Sequence, residues 1–404
     1  MATRLQDQLF HDVFLPDETK RIREEVRAFA TEYVKPAAHH IAQQDESKEN
    51  FPWDVFRRMA EAGLFAIPFP KAYGGRGLQY PTCATIVTME ELAYASNSIA
   101  AIFDVQCMLA GQALVYGSEA VKEKYLKPLI RGEKVACFAT TEPDASSDLS
   151  AHSLKTTARR EGDQWIINGR KRFITNAPVG SFVTALCVAD GAMSMIVVDL
   201  DAPGVRVGEP DKKTGNRGQL TADIYFDNAA MPASNLVGQP GRGLAVALGA
   251  LTYGRIGIGA TGVGMAQAAL DEAVAYMKKR EAFGKKIAQF QYWQMRVAEL
   301  VTGVENARSL CYKAAWRRDQ GVEFPEPEAA MAKYYATQIA GDVAREAVQI
   351  FGGYGYVRAL GADHSTYKVE QIYRDCKIAE IYEGTNEIQR FIIARHVFGK
   401  AYTG

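Results

Sequence analysis

At 404 residues, with 48% hydrophobic and 23% charged side chains, the chain reads as folded and too long for one ordinary core, so two or three domains are expected. Lys+Arg and Asp+Glu both number 47, which leaves no net field to recruit nucleic acid or an anionic membrane. No uninterrupted apolar run reaches the ~18 residues of a membrane span, and residues 1–20 show neither a signal-like nor a transit-like pattern, so a cytoplasmic protein without a membrane partner is expected.

Residues 1–133 read as an N-terminal helical domain. Ile22, Val26 and Phe29 recur at helical spacing between Thr19 and Tyr33, and Pro36 is expected to close that helix. Phe51-Pro52-Trp53 starts a second helix that ends at Gly63. The stretch from Lys71 to Gly77 is glycine-rich, but no strand precedes it and it lacks a Gly-Lys-Ser/Thr ending, so it reads as a connection and not a phosphate loop. Helices are expected again over residues 84–95 and 98–116. In the second of these Asp104 stands among Ile102, Phe103 and Val105, an unusual place for an acid.

Residues 134–240 change character and predict a central β domain with a barrel-like or sandwich look. Residues 135–140 are strand-like, and 164–170 contain Asn168-Gly169, a pair that suits a tight hairpin turn. Three more short strands are expected at 182–188, 193–198 and 223–226. Residues 241–404 then read as a C-terminal four-helix bundle, giving an α+β fold overall. Its helices are residues 244–279, a second marked by Val297, Leu300, Val304 and Cys311, a third marked by Ala332, Ala336, Ala340, Val343 and Ala347, and the C-terminal one. Residues 257–262 match G-x-G-x-x-G inside the first, but without a preceding strand they read as small residues that let helices approach closely. The cysteines (Cys83, Cys107, Cys137, Cys187, Cys311, Cys376) are far apart, with no C-x-x-C, and the histidines do not cluster. Reduced thiols and no metal site are expected.

The strongest chemical signal is Ile381-Tyr382-Glu383-Gly384-Thr385-Asn386-Glu387-Ile388-Gln389-Arg390. Ile388, Phe391 and Ile392 mark a helix, and Thr385 suits its N-cap. Glu383 then stands on the turn that feeds the helix, whose first N–H groups can hold a phosphate or a flavin edge. From these residues alone, Glu383 is either a functional carboxylate or a solvated acid in a capped loop.

Helix, β, helix is also the order of the acyl-CoA dehydrogenase flavoproteins, which the chain resembles along nearly its whole length. The stretches that carry the resemblance are Thr141 to Asp148, Arg172-Phe173-Ile174-Thr175-Asn176, Arg280-Glu281-Ala282-Phe283-Gly284, Phe290-Gln291, Gln349 to Gly355, Tyr373-Arg374-Asp375 and Ile381 to Arg390. The resemblance implies FAD as cofactor and α,β-dehydrogenation of an acyl-CoA thioester to the 2-enoyl-CoA, with hydride transfer to flavin N5. It also implies an electron-transfer flavoprotein as acceptor and a homotetramer. Glu383 matches the base that removes the α proton, and burial is expected to raise its pKa toward the working pH. Some relatives carry the base just before an arginine on the first bundle helix. Here that position is Gly254, before Arg255, and a glycine takes no proton.

The same resemblance gives Thr141 and Thr175 to hydrogen bonds with the isoalloxazine edge and Phe173 to stacking on it, while Phe138 and Thr140, on the same strand, join the cofactor site. Ser147 is shared between flavin phosphate and substrate. Arg280, Phe283, Gln291, Gln349, Gly352 and Gly353 match the site for the ADP half of a neighbouring subunit's FAD, and Thr385 and Glu387 join the cofactor site. The thioester oxygen is expected on the Glu383 N–H and a flavin ribityl hydroxyl. Tyr253, Arg255, Gly384 and Asp104 are, with Ser147, the expected substrate contacts.

Three departures stand out. Thr252-Tyr253 replaces an acid usual near CoA, Asp144 and Ser146 replace glycines, and several extra residues lie between Tyr356 and Val369. Asp104 lies on the helix implied to line the far end of the acyl pocket. It either pairs with a lysine or arginine, turns to solvent, or meets a polar or ring-bearing acyl tail, even taking a second proton from an unsaturated substrate. An acyl-CoA oxidase or other flavin oxidase on the same fold is the alternative reading.

Overall fold

The computed structural model describes residues 4–8 and 11–403. The first long helix, Asp17–Phe29, buries Ile22, Val26 and Phe29 as their spacing predicts. Pro36 does not close it. A π-wound turn, Ala30–Val34, carries the chain on into Lys35–Gln43, with Pro36 in the first turn of that segment. The wider turn accommodates the proline ring, which would otherwise clash with a carbonyl four residues back.

Pro81–Ala95 and Asn97–Phe103 follow, buried almost all round. The second continues as a π-wound stretch, Asp104–Gly111, before Gln112–Val115. Thus the unusual acid begins a local widening of its helix, a feature common at functional sites. Residues 97–115 and 243–277 are each long and apolar enough to cross a membrane, and both are largely buried against the rest of the chain.

The central region is one eight-stranded sheet. Its strands are β1 (Ala136–Ala139), β2 (Thr157–Glu161), β3 (Gln164–Thr175), β4 (Phe182–Ala189), β5 (Ala192–Asp199), β6 (Val205–Val207), β7 (Thr221–Pro232) and β8 (Leu236–Val237). The order β6-β7-β3-β2-β4-β5-β8 is antiparallel except at β2–β4, and β1 adds parallel to β4. Asn168-Gly169 is not a hairpin turn. β3 runs straight through it, and the β2–β3 hairpin turns at Gly162-Asp163 instead. Gly169 marks a bulge, where the register against β7 shifts. Its φ is 139°, and a β-carbon there would stand 2.6 Å from Thr156 Cα, so the glycine is required by the neighbouring backbone and not by a turn.

The C-terminal region packs Gly243–Met277, Gln291–Asp319 and Glu326–Phe351 with two shorter helices, Lys368–Ala379 and Asn386–Phe398. The G-x-G-x-x-G stretch lies wholly inside the first of these. Gly259 and Gly262 face the backbone of Ala332 and Ala336, where a β-carbon would come within 3.1 and 2.8 Å of the carbonyl oxygens. Close helix approach is therefore its use. All six cysteines are buried and free.

Candidate active site

The turn 381–385 lies between Lys368–Ala379 and the helix Asn386–Phe398. Thr385 is the N-cap of the latter, its Oγ1 accepting from the Ile388 N–H. Glu383 has φ 56°, a left-handed conformation that a glutamate rarely adopts. Four contacts hold the turn in this shape. Arg255 Nε donates to the Glu383 carbonyl at 3.3 Å, and Gln389 Nε2 to the Gly384 carbonyl at 2.8 Å. The Asn386 N–H donates to the Glu380 carbonyl at 2.9 Å, and the Asn386 side chain accepts from Lys333 Nζ at 3.0 Å. Among the described residues, no hydrogen bond takes up the N–H of Glu383.

The Glu383 carboxylate turns inward. Its Oε2 is shut off from solvent, against Gly254. Burial raises its pKa, opposed by a hydrogen bond from Asp104 and by the charges of Lys333 and Arg255. Asp104 is 2% exposed, and no cation pairs with it among the described residues. Burial first, and then the Glu383 charge, push its carboxyl well above the ordinary aspartate value. Two carboxylates in contact cannot both readily ionise in a dry site, so Asp104 and Glu383 hold a proton between them, with the stronger upward push on Asp104. Two of the expectations for Asp104, an ion pair and a solvent-facing side chain, are therefore excluded.

The other expected residues fall into two groups. Phe138 and Thr140 are buried at the end of β1, and the Thr141 carbonyl accepts from the Arg172 N–H. Phe173, on a bulge in β3 with φ 59°, is 59% exposed, with the Arg172 guanidinium 4.2 Å from its ring centre. Thr175 Oγ1 accepts from Gln219 Nε2. Ser147 is exposed on the loop after β1. Nearby Asp144 turns to Lys155, and Ser146 adopts φ 51°, the conformation a glycine would supply. Tyr253, expected among the substrate contacts, is 2% exposed, its hydroxyl donates to Thr85, and Arg318 lies over its ring. Arg255, 4% exposed, supports the backbone of the turn. Glu387 is exposed in the first turn of the following helix.

The second group collects at the far helix ends. Arg280, Gly352 and Gly353 line a pocket of about 410 Å³, and Gln291 and Gln349 are exposed. Phe283 stands 97% exposed at φ 51°. From Gly254 to Met277 the connecting helix runs roughly 35 Å at 1.5 Å per residue.

Three family models match in chain order: the acyl-CoA dehydrogenase N-terminal domain over residues 16–133, the middle domain over 137–229 and the C-terminal domain over 241–398. The chain belongs to the acyl-CoA dehydrogenase family. It is 40% identical to the 3-(aryl)acrylate reductase of Clostridium sporogenes, over 95% of this chain and all of that one. It is 37% identical to the subunit CarC of the caffeyl-CoA reductase-Etf complex of Acetobacterium woodii, over 95% and 98%. The butyryl-CoA dehydrogenase structure from Megasphaera elsdenii superimposes with a TM-score of 0.88 at 32% identity, covering 96% of this chain and 99% of that one. The chain is accordingly an FAD-dependent oxidoreductase that dehydrogenates an acyl-CoA.

Sequence reasoning missed Lys333, Asn386, Gln389 and the proximity of Gly254 to the Glu383 carboxylate. Lys333 and Thr337, four apart in an alanine-rich helix, were the available signal of a buried polar site.

Proposed function

We propose that Glu383 is the base of this dehydrogenation. The observation that carries it is an enclosed carboxylate of raised pKa, held on a strained turn with one oxygen free of partners. It takes the α proton, the Cα–H electron pair forms the new double bond, and the β hydrogen leaves as hydride. Bound FAD supplies the acceptor for that hydride. The uncommitted Glu383 N–H donates to the thioester oxygen as negative charge develops there, fixed in place because Arg255 and Gln389 hold the two carbonyls that follow it, those of Glu383 and Gly384.

The residues present suit FAD. Phe173 offers an exposed ring beside Thr141 and Thr175, and Arg280 with the open backbone of Gly352 and Gly353 suits a pyrophosphate. Phe283, an aromatic ring standing in solvent in a strained conformation, suits a covering partner. The two groups are too far apart along one helix to grip a single site. Each chain is read as contributing to its own FAD and to that of a neighbour, which supports an oligomer, and a homotetramer is the proposed form. An electron-transfer flavoprotein is the proposed acceptor, in keeping with the Etf complex named for the Acetobacterium relative. Asp104, with neither cation nor solvent, lies against Glu383 and not at the expected far end of the pocket, and we propose that it meets a polar or ring-bearing acyl tail close to the base, in keeping with the aryl-acrylate name of the Clostridium relative. Anaerobic titration with a panel of acyl-CoAs tests the reading. Bleaching of the flavin supports it, and an unreduced flavin across straight, branched and aryl substrates overturns it.

A further inference from the structure

Lys333 lies on Glu326–Phe351 with its side chain 0% exposed, and among the described residues it forms no ion pair. Its hydrogen bond goes to a neutral acceptor, Asn386 Oδ1, at 3.0 Å. Asn386 Nδ2 lies 3.1 Å from Thr337 Oγ1, so one face of this helix clasps the first residue of the helix that follows the Glu383 turn. A buried ammonium without an ion partner is costly, and an ordinary core position would carry an alanine like its neighbours Ala332 and Ala336.

We propose that Lys333 is a positioning residue for the base: it anchors the 381–385 turn through Asn386, the first residue of the helix that follows, and, when charged, favours the ionised form of Glu383. This rests on the reading of Glu383 as base. The charged groups that face Lys333 are Glu383 from the turn, Glu380 from the end of the helix before it, Glu387 from the C-terminal helix and Arg255 from the first bundle helix. Arg255 in turn faces Glu326, at the start of the helix that carries Lys333. Glu383 itself meets Asp104, Lys333 and Arg255. Burial pulls Lys333 down to about 7, so its charge changes within the neutral range. Below that pH the ammonium holds the Glu383 pKa down. Above it the neutral amine releases Glu383 to a higher proton affinity, and the two groups titrate as a coupled pair.

The test is the pH profile of kcat/KM for anaerobic flavin reduction by an acyl-CoA, read for the FAD-loaded enzyme at two temperatures. In the wild type an ionisation near pH 7 should move to lower pH on warming, as amine ionisations do and carboxyl ionisations do not. Lys333→Met should shift the acid limb upward by roughly half a unit to one unit, with rates that separate from wild type below about pH 7 and converge above about pH 8. Lys333→Arg should keep the limb at or below its wild-type position. A uniform loss of rate in Lys333→Met with an unmoved limb would leave Lys333 a packing residue and overturn the proposal. If Lys333→Met does not load FAD, Lys333→Gln keeps an N–H for Asn386 without the charge, and the wild-type temperature effect decides alone; its absence also overturns the proposal. Glu383→Gln separates the two readings: normal activity there removes the base assignment, while a dead Glu383→Gln with an unmoved Lys333→Met limb removes only this one.

Discussion

A β-carbon on Gly254 would stand 2.1 Å from Oε2 of Glu383. The first bundle helix thus has a notch in the place where the carboxylate lies, and the proposed base and the helix position implied to carry it in some relatives occupy the same small volume. Gly254→Ala should push the carboxylate out of line while leaving the distant Arg280 group untouched. The expected outcome is a fall of about 10²-fold in the rate of flavin reduction with normal FAD content, because small misplacements of a reacting group have effects of that size. Stopped-flow reduction alongside the absorbance ratio of flavin to protein checks it.

Glu383→Gln keeps the shape of the side chain and removes its proton-accepting ability. FAD and acyl-CoA should still bind, with flavin reduction slowed by about 10²-fold or more. Single-turnover reduction reads this directly, and near-normal reduction would assign the proton to another group.

Asp104→Asn has two expected effects. The ranking of straight, branched and ring-bearing acyl-CoAs as flavin reductants should change while FAD binding does not; an unchanged ranking would make Asp104 structural. Stability should change as well. An acid whose pKa is raised in the folded state is protonated in both states at low pH. Once the pH passes the ordinary aspartate value of about 4, the unfolded chain ionises while the folded one does not, so stability falls as pH rises. The asparagine variant escapes this, so its Tm should gain on the parent steadily from pH 4 upward.

The purified protein should be yellow, with one FAD per subunit. Arg280→Ala removes the guanidinium proposed to meet the pyrophosphate, and FAD retention should weaken by about 10- to 100-fold, the scale of a lost charge-assisted contact. Flavin release during gel filtration measures it.

Much of this site was legible because its signals are local. Thr385 followed by a helical pattern predicts a cap, and the cap is there. Where local chemistry competed with distant backbone, the sequence misled. Asn168-Gly169 has the composition of a hairpin turn, yet the closeness of Thr156, set by strand pairing, makes Gly169 a bulge. Pro36 would end an isolated helix, but a π turn lets this one continue. Lys333 and Asn386 were invisible for a different reason: their pairing joins residues 53 apart, and a lysine in a helical pattern reads as solvated until its burial is known.

The roughly 35 Å of helix between Gly254 and the Arg280 end has a genetic consequence. On the proposed arrangement, one allele can lose its base and another its grip on a neighbour's FAD, and the lesions fall in different halves of different sites. Co-expressed, Glu383→Gln and Arg280→Ala subunits would assemble some sites that carry both lesions and some that carry neither. Two alleles, each failing alone, would then complement one another in a mixed oligomer, whereas two lesions within one half-site, such as Glu383→Gln and Gly254→Ala, would not.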